Sequence, residues 1–223
     1  MEVALIVAGG SGQRMQLDEP KQFLILSGLP VLMHTILAFR KYSRSIKIIL
    51  VIPESEFDRW GQLVNKFGFK DVDQLVPGGQ TRFQSVKNGL QFVNPDDLVA
   101  IHDGVRPVID QKIIRKNFEE AALHGNAITV VKPKDSLRKI SGDGTMAVDR
   151  NQYLMVQTPQ TFRGEAIKNA YQQKEIPEFT DDATVAEYSG VSLHLVDGAY
   201  QNIKITTNED LKLIAPLLEQ STG

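Results

Sequence analysis

The chain has 223 residues, 42% hydrophobic and 23% charged, with a formal net charge of −2 and no cysteine. That length can bury a real core, and the composition is globular, without a disorder or collagen signature. A near-neutral balance argues against the broadly basic surface that nucleic-acid binding needs, and the lack of cysteine excludes disulfides, thiolate metal sites and cysteine nucleophiles.

The first residues, Met1-Glu2-Val3-Ala4-Leu5-Ile6-Val7, enter an apolar run at once. The run has no basic segment before it and is too short for a signal peptide or membrane span, and no later stretch approaches membrane length. The expected compartment is the cytoplasm. Val3–Val7, Ile46–Ile52, Leu98–His102 and Ala127–Val131 have the Val- and Ile-rich pattern of buried strands. Between them, Leu32, Ile36 and Phe39 recur at helical spacing, as do Phe83, Val86 and Leu90, and Ile114, Phe118 and Ala121. Such alternation predicts an α/β fold with an open, mostly parallel sheet and helices on both faces.

After Val131 the rhythm breaks. Residues 133–156 alternate polar and apolar around Ser141-Gly142-Asp143-Gly144, a hairpin-turn signal. A β-arm projecting from the sheet is expected, although an ordinary surface hairpin fits the same pattern. An arm of that length needs a packing partner, and a second subunit would supply one. Helical patterns resume at Gly164–Gln173, Asp181–Ser189 and Asn208–Leu218, the last preceded by a capping-box pattern from Thr207 to Asp210. With no linker or internal repeat, residues 1–223 are expected to form one domain with an appendage.

The candidate chemistry lies at strand ends. Ala8-Gly9-Gly10-Ser11-Gly12-Gln13-Arg14-Met15 follows the first strand. Glycines there let backbone N–H groups approach a phosphate, and Arg14 adds charge. The loop is not a Walker A motif, and Met15 stands where a dinucleotide fingerprint needs its third glycine. By itself it also reads as a tight strand-to-helix turn. Pro20-Lys21-Gln22-Phe23-Leu24 adds a second cation, and Arg14 with Lys21 suits a triphosphate that loses pyrophosphate. Pro77-Gly78-Gly79-Gln80-Thr81-Arg82 precedes a helix whose N-terminus could meet a base or ribose, or could be a plain turn and cap. In His102-Asp103-Gly104-Val105-Arg106-Pro107, Asp103 could hold Mg²⁺ and Arg106 could clamp a phosphate, although Asp also caps turns. Lys204, between Ile203 and Ile205, has the pattern of an outward residue on an edge strand. The four histidines, His34, His102, His124 and His194, show neither metal-ligand spacing nor a Ser-His-Asp triad order.

Taken in order, these pieces resemble the 2-C-methyl-D-erythritol 4-phosphate cytidylyltransferases. The resemblance also includes Val148-Asp149-Arg150, Thr158-Pro159-Gln160, Thr180-Asp181-Asp182-Ala183 and Asn202-Ile203-Lys204, so it spans nearly the whole chain. It implies a Rossmann-like sheet of the nucleotide-diphospho-sugar transferase type, a homodimer built through the β-arm, CTP as donor, Mg²⁺, and a sugar-alcohol phosphate as acceptor. Arg14, Lys21, Asp103 and Lys204 would be catalytic. The loop of Ala8, Gly9, Gly10 and Gly12 would wrap the triphosphate, with Gly79, Gln80 and Ser85 at the cytosine and ribose. Arg106, Thr180, Ser136 and Arg150 would bind the acceptor, the last two from the arm and reaching the partner's site. Asp103, with the CTP phosphates, would hold the metal. Two departures stand out. Gly104 and Val105 replace the alanines usual after the aspartate, and Ser136 stands where threonine is common.

The resemblance implies direct attack of an already ionised acceptor phosphate on the α-phosphorus of CTP, with no general base and catalysis by positioning and charge. Three other readings remain at this point. A ribitol-5-phosphate cytidylyltransferase shares several of these pieces. A silent nucleotide-binding regulator is disfavoured by retention of every expected cation and of Asp103, and a nicotinamide dehydrogenase by the broken glycine fingerprint.

Overall fold

The computed structural model describes residues 1–9 and 19–221, with side chains as far as 219. In chain order the elements are β1 (Glu2–Val7), a 3-10 turn (Lys21–Phe23), the two-strand hairpin β2 (Ile25–Leu26) and β3 (Leu29–Pro30), α1 (Val31–Tyr42), β4 (Lys47–Ile52), α2 (Phe57–Phe67), β5 (Gln74–Pro77), α3 (Arg82–Leu90), β6 (Leu98–Asp103), α4 (Gln111–His124) and β7 (Asn126–Val131). There follow β8 (Leu137–Ser141), β9 (Gly144–Val148), β10 (Met155–Arg163), α5 (Gly164–Ala170), α6 (Asp182–Tyr188), β11 (Leu195–Asp197) and α7 (Asn208–Ser221).

Seven strands form the main sheet in the order β11-β7-β10-β6-β1-β4-β5. All neighbours are parallel except β10, which runs antiparallel to both β6 and β7. Because side chains alternate across a strand, each central strand feeds two cores. Val3, Leu5 and Val7 of β1 join Val86 and Leu90 of α3 and Ile167 of α5 on one face. Ala4 and Ile6 join Leu32, Ile36 and Phe39 of α1, Trp60 of α2 and Phe118 of α4 on the other. Leu32, Met33, Ile36 and Phe39 are all 0% exposed, and at about 1.5–3 kcal/mol each their burial, rather than helix propensity, holds α1 in place.

Two-sided burial explains why the central strands are legible as continuous apolar runs, and each expected run lies within or one residue beyond an observed strand. The elements without a clear pattern are smaller or half-buried. β5 has four residues, and α2 fully buries only Trp60. The hairpin forms around Gly142 and Asp143 as expected, with Leu137 paired to Val148 and Ser141 to Gly144. It is shorter than residues 133–156, because Met155 already belongs to β10, which returns to the main sheet beside Val131. At the other end of the chain, the capping box before α7 is present. Thr207 N–H donates to Asp210 Oδ2 at 2.8 Å, and Asp210 N–H lies 3.4 Å from Thr207 Oγ1.

The parallel registers bring several strand ends to one edge. Val7 of β1 pairs with Asp103 of β6 and Val51 of β4, and Ile52 of β4 with Pro77 of β5. The loops that carry the candidate motifs therefore leave the sheet side by side, at the carboxyl ends where open α/β sheets bind ligands.

Candidate active site

Asp103 is the last residue of β6 and is 6% exposed. Its carboxylate gathers three cations from three separate segments. Arg106 Nε and Lys204 Nζ each lie 3.1 Å from Oδ2, and Arg82 Nε lies 3.8 Å from Oδ1. Burial by itself would favour the neutral acid, but Arg82, Lys204 and Arg106 outweigh it and hold the carboxyl well below the ordinary carboxylate range. Asp103 is therefore a fixed negative charge at neutral pH.

Each cation is itself positioned. Arg106 Nη1 donates to the Asn202 carbonyl at 2.7 Å, which ties the loop after β6 to the segment before α7. Asn202 in turn donates to the Thr158 carbonyl at 2.7 Å. Lys204 is not on an edge strand. Ile203 and Ile205 pack with Val105, Ile214 and Leu218 in a third apolar cluster, and Ile205 N–H donates to the Val105 carbonyl at 3.0 Å. Anchoring of both neighbours presents the Lys204 ammonium to Asp103. Arg82, the first residue of α3, is shared with a second carboxylate. It donates to Asp182 at 2.9 and 2.6 Å, and the Tyr171 hydroxyl donates to the same Asp182 at 2.5 Å.

His102 stands behind Asp103 at 0% exposure. Asp103 N–H donates to Thr158 Oγ1 at 3.1 Å, so the Thr158 hydroxyl is left to donate to His102 Nδ1, also 3.1 Å away. The network then assigns the proton to Nε2, which faces the Arg106 carbonyl at 3.2 Å. Burial lowers the pKa of this imidazole to about 4, so it is a neutral strut for the Asp103 loop.

The glycine-bearing loops after β1 and β5 meet at Ser85 of α3, which is 1% exposed. Gly79 N–H donates to Ser85 Oγ at 3.0 Å, and Ser85 Oγ donates to the Thr81 carbonyl at 2.8 Å. A methyl group on Gly9 or Gly78 would lie 3.3 or 3.2 Å from the same hydroxyl oxygen, so the end of β1 and the loop after β5 close on it together. Gln80 is exposed, and its N–H is held by Gln84 Oε1 at 3.0 Å. Lys21 opens the 3-10 turn, which is docked on β1 because buried Gln22 donates to the Ala8 carbonyl at 3.1 Å and Phe23 is fully buried. Gly10, Gly12 and Arg14 lie outside the described residues.

A family model for 2-C-methyl-D-erythritol 4-phosphate cytidylyltransferase matches residues 2–220. The chain belongs to this family. It is 49% identical over 214 residues to the cytidylyltransferase of that name from Bacteroides thetaiotaomicron, covering 96% of this chain and 98% of the relative. It is 48% identical over 217 residues to the one from Porphyromonas gingivalis, covering 96% of each. Its fold matches the crystal structure of 4-diphosphocytidyl-2C-methyl-D-erythritol synthase from Anaerococcus prevotii with a TM-score of 0.81 at 29% identity and 98% coverage of both chains.

Within this cytidylyltransferase family the two departures after the aspartate have a local physical cause. A methyl group on Gly104 would stand 2.8 Å from Ala8 Cβ and 2.9 Å from Leu32 Cδ1, so glycine is what the packing of β1 against α1 admits. Val105, 7% exposed, fills the pocket beside Ile205 that anchors the Lys204 segment.

The remaining expected residues are spread more widely. Thr180 is exposed and stands two residues before Asp182. Ser136 and Arg150 are exposed at the base of the hairpin, where Arg150 Nη1 donates to the Lys134 carbonyl. Among the described contacts, none joins either one to the Asp103 cluster of its own chain. Sequence reading missed Asp182, Tyr171 and Thr158 as supports of the cluster, and saw Arg82 only as part of a helix-start motif. The Thr180-Asp181-Asp182 piece was visible, but only the fold reveals that Asp182 faces Arg82.

Proposed function

We propose a division of labour for the reaction of this family, the transfer of CMP from CTP to 2-C-methyl-D-erythritol 4-phosphate with release of pyrophosphate. Arg14 and Lys21 stabilise charge on the α-phosphate and the leaving pyrophosphate. The loop Ala8 to Gly12 wraps the triphosphate, and Gly79, Gln80 and Ser85 meet the cytosine and ribose. Lys204, held against Asp103, faces the attacking phosphate, while Arg106 and Thr180 shape the acceptor pocket. The observation that carries this reading is the convergence of Arg82, Arg106 and Lys204 on one buried carboxylate at the carboxyl edge of the sheet, beside the glycine loops.

No general base is required, because the acceptor phosphate is ionised at neutral pH. The inventory agrees, since the one histidine behind the site has both nitrogens engaged. Catalysis then rests on positioning and on preorganised charge.

Mg²⁺ fits the donor set. It takes one or two carboxylates and completes its shell with substrate phosphates and water, and the contact described for Asp103 Oδ1 is the long 3.8 Å one to Arg82. The surrounding cations mean that Asp103 would hold the ion only together with the triphosphate. When bound, the ion neutralises charge on the phosphates.

The chain is read as one catalytic domain with a dimerising arm over residues 133–156, acting in the cytoplasm. Tyr153, Leu154, Met155 and Val156 are consecutive and 42–45% exposed at the base of the hairpin, a patch that a second subunit would cover. Ser136 and Arg150 would then reach the acceptor phosphate in the partner's site.

The deciding experiment measures pyrophosphate release from CTP with methylerythritol 4-phosphate, ribitol 5-phosphate or no acceptor. Release is expected with the first. Release with ribitol 5-phosphate alone would replace the acceptor, and none with either would leave a nucleotide binder.

A further inference from the structure

Glu120 and His124 stand four residues apart on the last turns of α4, and His194 precedes β11. The fold brings the three together although 70 residues separate the histidines. His194 Nε2 lies 2.9 Å and His124 Nε2 3.3 Å from the same atom, Oε2 of Glu120. The two imidazoles are stacked with centroids 3.8 Å apart and planes 12° from parallel. All three ligand atoms fall within 4.8 Å of one another.

The two nitrogen-to-oxygen separations are close to those between neighbouring donors in a metal's coordination shell. Ligand bonds of about 2.0–2.1 Å in a tetrahedral arrangement place neighbouring donor atoms roughly 3.3–3.4 Å apart. The carriers are already fixed by one residue. Asn126, which opens β7, accepts the His194 N–H at 2.8 Å and donates to the Ser192 carbonyl at 2.9 Å. The His194 carbonyl in turn accepts the Ile128 N–H at 2.8 Å, and α4 ends at His124 with its C-cap Gly125 directly before Asn126. Two segments tied by these hydrogen bonds therefore hold the backbones of all three residues, and binding requires only that the stacked imidazoles turn so that both ring planes meet on the ion.

The electrostatics also suit a cation. The carboxyl end of α4 carries the partial negative charge of the helix dipole, and Glu120 adds a full one. Arg163 already donates to the Ala122 carbonyl at 2.7 Å, and the Glu120 carboxylate offsets that second positive charge.

We propose that Glu120, His124 and His194 bind one divalent transition-metal ion of the zinc class, at a site separate from the transfer chemistry. Two imidazoles and one carboxylate select zinc, cobalt or nickel over magnesium, and three protein ligands leave a position for water. The site lies at the amino-terminal edge of β7 and β11, opposite the carboxyl edge that carries Asp103. β11 is a three-residue strand at the end of the sheet, where among the described residues it pairs with β7 alone. An ion bridging His194 to α4 would clamp it.

The full chain, stripped with a chelator, is titrated with Co²⁺ while its visible absorption is followed, and with Zn²⁺ by calorimetry. One equivalent should bind, with the intense bands of four- or five-coordinate cobalt, and Mg²⁺ in excess should not displace it. His124→Ala and His194→Ala should each weaken binding by at least the roughly 10–100-fold seen when a ligand's supporting partner is lost. Zn²⁺ should raise the unfolding temperature of the parent but of neither variant. Asp103→Asn should keep the cobalt spectrum, and cytidylyl transfer should survive His124→Ala. Because His124 and His194 are half-exposed, both variants should fold, which circular dichroism checks, and Glu120→Gln supplies a third, nearly isosteric one. Failure of the parent to bind, equal binding by all variants, or loss of the spectrum in Asp103→Asn would each overturn the proposal.

Discussion

Arg82 and Asp182, far apart in sequence, are joined by two parallel N–H···O bonds of 2.9 and 2.6 Å, and the same guanidinium turns its Nε toward Asp103. Asp182 has no solvent exposure, whereas Arg82 keeps 28% of its side chain in water. Such a bidentate pair fixes orientation as well as charge. It holds Arg82 at 3.8 Å from Asp103 Oδ1, longer than the 3.1 Å at which Arg106 and Lys204 approach Oδ2.

Replacing Asp182 by Ala removes this restraint and leaves the Tyr171 hydroxyl without its acceptor. A stability loss of about 3 kcal/mol is expected, the lower end for a broken buried pair because Arg82 can reach water. Urea unfolding measures it. Transfer should also slow, since a released Arg82 can close on Asp103, whereas Asp182→Asn should lose less in both respects by keeping one acceptor.

Lys204 is 41% exposed, so its pairing with Asp103 contributes little to folding, on the order of 1 kcal/mol or less. Its proposed role is in the transition state. Lys204→Ala should therefore fold normally yet lose roughly 10²–10³ in kcat, as should Lys21→Ala. Steady-state pyrophosphate release decides, and an unaltered kcat would remove that residue from the mechanism.

The neutral state of His102 makes stability depend on pH. Its pKa falls from 6.5 to about 4 on folding through burial, so between those values the unfolded chain binds more protons than the folded one. Stability is fully present above pH 6.5 and is lost as pH falls toward 4, by on the order of 3 kcal/mol. His34, also lowered by burial, acts in the same direction. Urea midpoints at pH 7 and pH 5 should differ markedly in the parent and less in His102→Gln, which cannot titrate.

Gly104→Ala tests the packing beneath the Asp103 loop. Of its two close neighbours, Ala8 Cβ is fixed to the backbone and cannot rotate away. Overpacking of this kind costs about 1–3 kcal/mol. A lower thermal midpoint with a raised KM is expected, because Asp103 directly precedes the displaced residue and Arg106 follows two residues later.

Ile140 on β8 is 79% exposed, and the apolar run Tyr153–Val156 lies at the base of the same hairpin. Ile140→Asp together with Leu154→Asp should shift the proposed dimer to monomer in analytical ultracentrifugation. Acceptor KM should rise in parallel if Ser136 and Arg150 serve the partner's site. A monomeric variant with parental KM would place both residues outside the acceptor pocket.

The central strands and most helices were legible because their signals are local. A strand buried on both faces is a continuous apolar run, and α1, α3 and α4 repeat their buried residues at helical spacing. The glycine loop, Lys21, Asp103, Arg106 and Lys204 were likewise visible as motifs, in an order that pointed to cytidylyl transfer. Pairings between distant segments were not legible. The edge-strand pattern of Lys204 concealed a side chain aimed at Asp103, because Val105, which helps anchor its neighbours, lies far from it in sequence, and Ile214 and Leu218 fold back onto them from α7. Arg82 and Asp182 carried no sign of each other, and neither did Glu120, His124 and His194. Hydrophobic periodicity and turn chemistry act over a few residues, so sequence alone determined the layers and the chemical parts. Which charges share a carboxylate, and which imidazoles share an acid, depend on the register of β6, β7, β10 and β11, and only the tertiary structure sets that.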